Sequence, residues 1–439
     1  MRVSVWLSAA AICLAAPSAG SAESLQDALA LAYQTNPTIR AERARLEATR
    51  EARAQAWAGG LPQISASGSY NRVDSTQTST IAQDAKLNSL AGSINAEQSI
   101  FTGFRNFNAI KQAGARIRAG GAQLVATEQQ VLNDVAGAYF NVQRNMAVYE
   151  LNKQNVTVLM RQKEMAEARF EVGEITRTDV AQADARLAEA RARLSNAQGD
   201  LAVARAAYAQ LVGRIPGDLE PVETLPELPD TMEAAQALAA KYAPPLVGAR
   251  EQVEVSRRQI FIAKGATLPS LSLTAGYQYA EQPNSFIDQS EEFTFGARAS
   301  FPLFLGGANY SRIREATALH KSDQARLAEA ERLVEARTIS AWERLVAARA
   351  VTVSAQASVE ANRLALEGVR QEAMVGTRTT LDVLNAEQEL LNAEVSLVSA
   401  RRDTQSAAFA LLAAVGVLTP DAIGIDGALG DGALDLYDH

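Results

Sequence analysis

Apolar and polar residues alternate in four segments of the chain, two after Pro62 and two after Pro269. A period of two residues is typical of a β-strand with one apolar and one polar face. The pattern therefore predicts two β-hairpins, at about residues 61–101 and 269–304. The apolar positions are Ile64, Ala66, Gly68 and Tyr70; Leu90, Gly92, Ile94, Ala96 and Ile100; Leu271, Leu273, Ala275, Tyr277 and Tyr279; and Phe293, Phe295, Ala297, Ala299, Phe301 and Leu303.

This alternation fits two environments, and the residues alone leave both open. Strands of about ten residues with one apolar side match a transmembrane β-barrel, and a half-buried soluble sheet gives the same pattern. Four strands are too few to close a barrel, because small barrels need about eight. An open sheet in lipid would leave its edges unpaired. Either the sheet is soluble, or several chains pool their strands in one barrel.

Two stretches without proline, residues 103 to about 170 and 307 to about 373, predict very long helices. At about 1.5 Å per residue each would reach roughly 100 Å, which is too long for a compact domain. After a turn, a second helix follows in which apolar residues recur at spacings of three and four, as in a coiled-coil seam. The seam positions are Val180, Ala183, Leu187, Ala190, Leu194, Ala197, Leu201, Ala204, Tyr208 and Leu211, then Val383, Ala386, Leu390, Ala393, Leu397, Ala400, Thr404, Ala407, Leu411 and Ala414. An ordinary coiled coil without a duct would show the same seam.

The chain contains a duplication with an offset of 203 residues. At that offset Val172-Gly173 matches Val375-Gly376, and Asp179-Val180 matches Asp382-Val383. Chance similarity between Ala-rich helices would not hold glycine and aspartate in one register over more than a hundred residues. We therefore predict a first repeat at 23–214, with a helical hairpin at about 103–213, and a second at 231–417, with one at about 307–416. Residues 215–230 form a Pro-rich linker, and Asn36-Pro37 and Pro244-Pro245 interrupt the opening helix of each repeat.

Both ends of the chain have features of their own. Arg2, a short apolar run and Gly20-Ser21-Ala22 predict a secretory signal peptide at residues 1–22. The apolar run is far shorter than the roughly 20 residues of a spanning helix, and no later segment predicts one. The single cysteine, Cys13, lies in this segment, so the mature chain would carry no disulfide and no thiol site. Residues 418–439 form an acidic, Gly-rich tail.

Composition narrows the class of protein. The 42 basic and 50 acidic residues give a net charge of −8, which argues against a nucleic-acid partner. Aromatic residues make up only 6%, so much of the apolar content is Ala and Leu, as in long helices. Neither His320 nor His439 has a second His or Cys at metal-ligand spacing, and no Gly-rich phosphate loop occurs. We therefore predict no enzyme activity, no metal and no cofactor.

The order and spacing of these features resemble the TolC family of outer-membrane channel proteins over nearly the whole mature chain. The N-terminal stretch Ser24–Tyr70 and the SIFTGF segment at Ser99–Phe104 are similar to that family. The turns between the paired helices are the most specific segments. They read FEVGEITRTDV from Phe170 to Val180 and AMVGTRTTLDVLN from Ala373 to Asn385.

The resemblance implies a fold that is mainly α with a transmembrane β part. Three chains with four strands each would form one 12-stranded β-barrel in the outer membrane and a long antiparallel coiled-coil α-barrel across the periplasm. Such a homotrimer is an exit duct for type I protein secretion or for tripartite efflux of small molecules. Its implied partners are outer-membrane lipid, a periplasmic adaptor (membrane fusion) protein and an inner-membrane ABC or proton-driven transporter.

The resemblance also implies a gate at the turns. Asp382 matches an aspartate that lines the periplasmic constriction, where three copies would favour cations and raise each other's pKa by repulsion. Arg378 matches a gating arginine, and Thr178 and Asp179 match its partners on the other hairpin. Asn385 stands where the family member compared has a second pore aspartate, which implies a weaker selectivity ring.

The same turns also differ from the family at one position and offer candidate docking residues. Ala373 stands in place of a gating tyrosine, so one link between hairpins would be absent and closure less firm. The two turns Val172-Gly173 and Val375-Gly376 are candidates for adaptor docking, and glycine also supplies the positive φ common at helix ends. For the charged residues near these turns, ordinary helix capping and solvated charge are the alternative.

A second function remains open at this point, a periplasmic coiled-coil scaffold without a pore whose strands form a soluble sheet. The sequence names no cargo, and it does not choose between secretion and efflux because both use the same tunnel.

Overall fold

The computed structural model describes residues 22–75, 85–222, 225–284 and 287–424. Residues 1–21 of the predicted signal peptide and residues 425–439 of the tail lie outside this part of the chain. The elements, in chain order, are α1 (Leu25–Thr35), α2 (Pro37–Ala58), β1 (Gln63–Ser75), β2 (Ala85–Phe101), α3 (Arg105–Glu171), α4 (Arg177–Val212), α5 (Met232–Tyr242), α6 (Pro244–Gly265), β3 (Ser270–Asn284), β4 (Ile287–Ser300), α7 (Ala308–Met374) and α8 (Thr380–Val415).

The two long helices, α3 and α7, dominate the molecule. Each has 67 residues and therefore a length of about 100 Å, as the proline-free stretches predicted. The returning helices α4 and α8 have 36 residues and pair with only part of that length. The 22-residue helices α2 and α6 pack along α3, and α6 also contacts α7. The strands adjoin α3 and α7 at one end, and the hairpin turns lie at the other.

The predicted coiled-coil seam is buried along much of both returning helices. In α4 the buried seam residues are Ala183, Leu187, Ala190, Ala197, Leu201, Ala204 and Tyr208. In α8, Val383, Ala393, Leu397, Ala400 and Leu411 are buried as predicted. Beyond them the buried set widens to include Ala408, Phe409 and Leu412, because α3 and α5 also pack against α8. This widening depends on helices that are distant in sequence, and a two-helix seam does not predict it.

The strands form one antiparallel sheet in the order β1-β2-β3-β4. Residues paired directly across strands lie on the same face. One row of paired residues is Ala66–Ile94–Tyr277–Phe293, and the adjacent row is Ser67–Ser93–Gln278–Glu292. The register therefore joins the apolar sides of all four strands in one face and the polar sides in the other. The predicted alternation is confirmed, and the order of the strands is new information.

The predicted strand pattern was wrong at one end. Alternation extended through Phe301 and Leu303, but β4 ends at Ser300. Pro302 explains the difference, because its nitrogen has no hydrogen to donate to the sheet. A register shift between Ser99 and Phe101 also interrupts the alternation at the end of β2.

Sheet and helices meet at a tight backbone contact. Gly103 has φ +62°, and a Cβ built at this position would overlap the carbonyl oxygen of Gly265 at the end of α6. The same is true of Gly265 against the carbonyl oxygen of Gly103. Two glycines therefore let the two repeats touch between the end of β2 and the start of β3. No helix in the described ranges is long and apolar enough to cross a membrane.

The largest hydrophobic cluster lies near the middle of α3, where α1 and the ends of α4 and α8 pack against it. Tyr139 is fully buried there, and its one hydroxyl hydrogen is shared between the backbone oxygens of Glu23 and Glu220, which lie 2.8 and 2.7 Å from the hydroxyl oxygen. Burial raises the pKa of Tyr139, so the hydroxyl stays protonated and remains a donor. This residue ties the start of the first repeat and the linker to the long helix.

Candidate functional site

The two helical hairpins turn with the same backbone geometry. Gly173 has φ +76° and Gly376 has φ +82°, a left-handed conformation that favours glycine because it has no Cβ. The Gly173 N–H donates to the Phe170 carbonyl oxygen at 2.9 Å, and the Gly376 N–H donates to that of Ala373 at 3.1 Å. The duplication therefore produces two equivalent turns at the end of the molecule farthest from the sheet.

The residues before these glycines are apolar and exposed. Val172 is 77% exposed and Val375 is 76% exposed, and Met374 beside it is 79% exposed. An exposed apolar side chain on a fixed turn can pack against another protein without rearrangement. The docking role of Val172-Gly173 and Val375-Gly376 stays a prediction, and the geometry is compatible with it.

Each returning helix begins with the same capping box. Asp179 Oδ2 accepts from the Thr176 N–H at 2.9 Å, and the Asp179 N–H donates to Thr176 Oγ1 at 3.4 Å. Asp382 and Thr379 repeat these bonds at 3.0 and 3.2 Å. A capping box satisfies backbone donors that the first helical turn leaves free. Both aspartates therefore have the capping role that the sequence left as an alternative.

These hydrogen bonds favour the ionised carboxylates. The N–H and hydroxyl of Thr379 hold the pKa of Asp382 below its ordinary value, and the nearby Arg378 lowers it further. The hydroxyl and N–H of Thr176 lower the pKa of Asp179 in the same way. Each cap is thus fully formed above the ordinary Asp pKa of about 3.9 and is lost as pH falls through the lowered value. Repulsion among three Asp382 side chains would act in the opposite direction.

Arg378 is paired within its own hairpin. Its Nε lies 2.8 Å from Oε2 of Glu372, and this bond raises the pKa of the guanidinium. Its predicted partners, Thr178 and Asp179, lie in the first turn of α4. In the described part of this single chain, neither of them forms a hydrogen bond or ion pair with Arg378. The link stays a prediction, and it requires a second copy or a movement of the hairpins.

Asn385 has a hydrogen-bond partner on the other hairpin. Arg186 of α4 donates from Nη2 to Asn385 Oδ1 at 3.0 Å, while its Nη1 lies 3.4 Å from Glu189. A neutral amide oxygen accepts a weaker hydrogen bond than a carboxylate does. The position therefore joins the two hairpins, but with less strength than an Arg–Asp pair would give.

A second link between the hairpins, centred on Glu387, was not predicted from the sequence. Glu387 is 6% exposed, and its Oε1 accepts from Gln162 of α3 at 3.2 Å and from Arg370 of α7 at 3.0 Å. Its Oε2 is buried and has no hydrogen-bond partner among the described residues. The available signal was its position between Val383 and Leu390 on the buried face of α8, because a carboxylate on such a face needs a partner.

The comparisons with known proteins agree with this geometry. The family model described as "Outer membrane efflux protein" matches residues 28–214 and 236–417, one match in each repeat. The outer membrane efflux protein BepC of Brucella suis biovar 1 (strain 1330) is 32% identical over 408 residues, which cover 93% of this chain and 88% of the relative. The outer membrane protein TolC of Vibrio cholerae serotype O1 is 29% identical over 409 residues, covering 91% of this chain and 92% of the relative.

A solved structure shows the same fold. The crystal structure of the Campylobacter jejuni CmeC outer membrane channel superposes with a TM-score of 0.79 at 17% identity, covering 90% of this chain and 85% of that chain. At this level of identity the similarity supports the fold and gives no role to particular residues.

Long paired hairpins on a sheet with one apolar face, taken with these comparisons, define an outer-membrane channel protein with a periplasmic helical extension. The chain belongs to the outer membrane efflux protein family. The predicted resemblance to the TolC family is confirmed, and the family consists of channels rather than enzymes. Membership favours the export duct over the scaffold without a pore.

Proposed function

We propose that three copies of this chain assemble into one continuous exit duct. The three four-stranded sheets close a 12-stranded barrel in the outer membrane, and the six helical hairpins form a tunnel through the periplasm. This arrangement resolves the strand-count problem, because one sheet alone leaves two unpaired edges in lipid. The duct delivers cargo and supplies no energy, so an inner-membrane transporter must drive export.

The observation that carries this proposal is the apolar face that runs in register across all four strands. Its members include large exposed side chains, among them Ile94 at 53%, Tyr277 at 41%, and Phe293 and Phe295 at 74% each. A water-exposed face of this kind is unfavourable, whereas lipid contact stabilises it. The polar face, with Ser67, Gln278 and Glu292, would then line the water-filled interior.

At the far end, the hairpin turns form the entrance. Asp382 lines the constriction there and favours cations, and Asn385 adds a second, uncharged layer. Arg378, Thr178 and Asp179 hold neighbouring hairpins in the closed state. The exposed Val172-Gly173 and Val375-Gly376 turns bind the periplasmic adaptor, which connects the duct to an ABC or proton-driven transporter. The same duct serves efflux, which the name of the relative BepC states, or type I protein secretion, because both use one tunnel.

Membrane fractionation and conductance recording test the proposal together. The mature protein should be found in the outer membrane, migrate as a trimer that heat dissociates, and open cation-preferring channels in a planar bilayer. A soluble monomer without conductance would contradict both the assembly and the duct.

A further inference from the structure

The four helices that meet the sheet share a pattern on their exposed surfaces. Each carries a large exposed aromatic residue near the sheet and a basic residue three or four positions farther from it. α2 and α6 run towards the sheet and α3 and α7 run away from it, so the order is the same in space although it is reversed in sequence. The pairs are Trp57 and Arg53, Phe261 and Arg258, Phe107 and Lys111, and Tyr310 and Arg314.

Helical spacing places both members of each pair on one face, because residues three or four apart are neighbours on a helix. In α3 the two side chains touch, with Lys111 Nζ 4.6 Å from the centre of the Phe107 ring. Tyr310 and Arg314 are the equivalents of that pair at the offset of 203 residues. The pattern thus recurs in both repeats.

The aromatic side chains are unusually exposed for their size. The exposed fractions are 55% for Trp57, 55% for Phe107, 43% for Phe261 and 68% for Tyr310. Aromatic residues are enriched where hydrocarbon gives way to lipid headgroups, and clusters of exposed apolar side chains mark contact with a membrane or partner. Their position, next to the strand ends that join the helices, is where a sheet embedded in lipid would leave the membrane.

A basic cavity lies about one helical turn beyond the aromatic residues. It has a volume of about 350 Å³ and opens between α2, α3 and α6. Its charged lining residues are Arg53, Lys111, Arg118, Glu254 and Arg258.

The cavity has more positive than negative charge. Arg118 pairs with Glu251 at 2.8 Å, and Arg258 pairs with Glu254 at 2.6 Å. Arg53 and Lys111 have no carboxylate partner in the described part of the chain. The cavity therefore keeps two unpaired cations beside two neutralised ones, an arrangement that attracts an anion with several acceptor oxygens.

We propose that this cavity binds the phosphate of an anionic phospholipid in the periplasmic leaflet of the outer membrane. The guanidinium of Arg53 and the ammonium of Lys111 contact the phosphate oxygens, while the aromatic rings lie at the depth of the headgroups. The bound lipid fixes the height of the channel in the membrane. The inference requires the outer-membrane location of the family and is independent of the gate and of the adaptor.

Lipid retention tests the site. The full mature protein is placed in nanodiscs of phosphatidylglycerol and phosphatidylcholine, extracted into detergent and analysed by native mass spectrometry. We expect the wild type to retain phosphatidylglycerol in preference to phosphatidylcholine and the double variant Arg53→Gln/Lys111→Gln to retain several-fold less. Arg337→Gln/Arg349→Gln removes the same charge from exposed positions of α7 far from the sheet and should retain as much as the wild type. Equal retention by both double variants would overturn the site.

Two further experiments identify the ligand and its location. Inorganic phosphate at millimolar concentration should not displace the lipid; displacement would show a general anion site instead. In a Trp342→Phe background, once the predicted signal peptide with Trp6 is removed, Trp57 is the remaining tryptophan. Phosphatidylglycerol brominated near the glycerol should then quench its fluorescence. Absence of quenching would overturn the membrane placement of the aromatic residues, whereas a channel that inserts and conducts normally would leave the proposed duct intact.

Discussion

At the scale of single residues, the second hairpin turn concentrates the chemistry of the predicted gate. We expect Asp382→Ala to weaken block of the channel by a trivalent cation several-fold, because three carboxylates would be lost from the narrowest ring. The half-blocking concentration in planar-bilayer recordings measures the effect. Asp403→Ala removes an exposed acid of the same helix away from the turn and should leave block unchanged. An identical response of both variants would count against Asp382 lining the constriction.

Substitution of Arg378 can distinguish a latch, meaning a bond that holds neighbouring hairpins closed, from a bond that only stiffens its own turn. In the single chain it pairs with Glu372. In the first hairpin Arg169, which stands at the position of Glu372, pairs with Glu174 at 2.7 Å. We expect Arg378→Ser to raise the resting conductance several-fold and Arg169→Ser to raise it little. If both variants raise it equally, loss of a pair within the hairpin explains the change, and Arg378 is not the latch.

The residues of the gate could be predicted from the sequence only in part. The capping roles of Asp179 and Asp382 follow from Thr-x-x-Asp spacing before a helical seam, which is a local signal. The bonds from Arg186 to Asn385 and from Gln162 to Glu387 could not be predicted that way. They join helices far apart in sequence, and their formation depends on how the two hairpins are rotated against each other.

At the scale of elements, lysine substitutions on the two faces of the sheet should have opposite outcomes. Phe295 lies on the apolar face opposite Ala275, and the adjacent Thr294 points to the polar face opposite Gly276. A lysine on the lipid face near the middle of a membrane costs about 2–4 kcal/mol, and one facing the lumen costs little. We expect Phe295→Lys to reduce the amount of heat-sensitive trimer in outer membranes severalfold, and Thr294→Lys to preserve it.

Equal tolerance of both lysines would contradict the assignment of faces. Equal loss would show that any charge in β4 disturbs the sheet, in which case the face has no special role. The pair is well matched because both positions are exposed in the single chain and the new side chain is the same.

The helices and strands were the features of this protein that the sequence predicted best. Absence of proline permits the length of α3 and α7, the Val-Gly turns end both helices, and alternation predicts the apolar face of each strand. Neither pattern contains the pairing of β2 with β3, which joins the two repeats across more than a hundred residues of helix. The predicted end of β4 was too late, because the alternation of apolar and polar residues continues past Pro302. Proline has no backbone N–H to donate to the sheet, and the strand ends before it.

At the scale of the whole molecule, the duplication explains why neither repeat is a domain in the usual sense. β2 of the first repeat pairs with β3 of the second, and α6 of the second packs along α3 of the first. Gly103 and Gly265 touch at this boundary. The repeats therefore form one sheet and one set of helices, and the length of the chain alone would have suggested separate globular domains.

The helices are about 100 Å long, so the predicted docking of the adaptor at the hairpin turns concerns one end of the whole molecule. The only cysteine of the chain is Cys13, within the predicted signal peptide, so an introduced cysteine is a unique probe of the mature protein. We expect Val172→Cys and Val375→Cys to crosslink to a co-expressed adaptor through a short bifunctional reagent. Val353→Cys is the matched control, since Val353 is 72% exposed on α7, 22 residues before Val375. At about 1.5 Å per residue it lies roughly 33 Å from the turn and should give little product. Comparable crosslinking at Val353 would place the adaptor along the side of the tunnel, and crosslinking there alone would remove the turns from the interface.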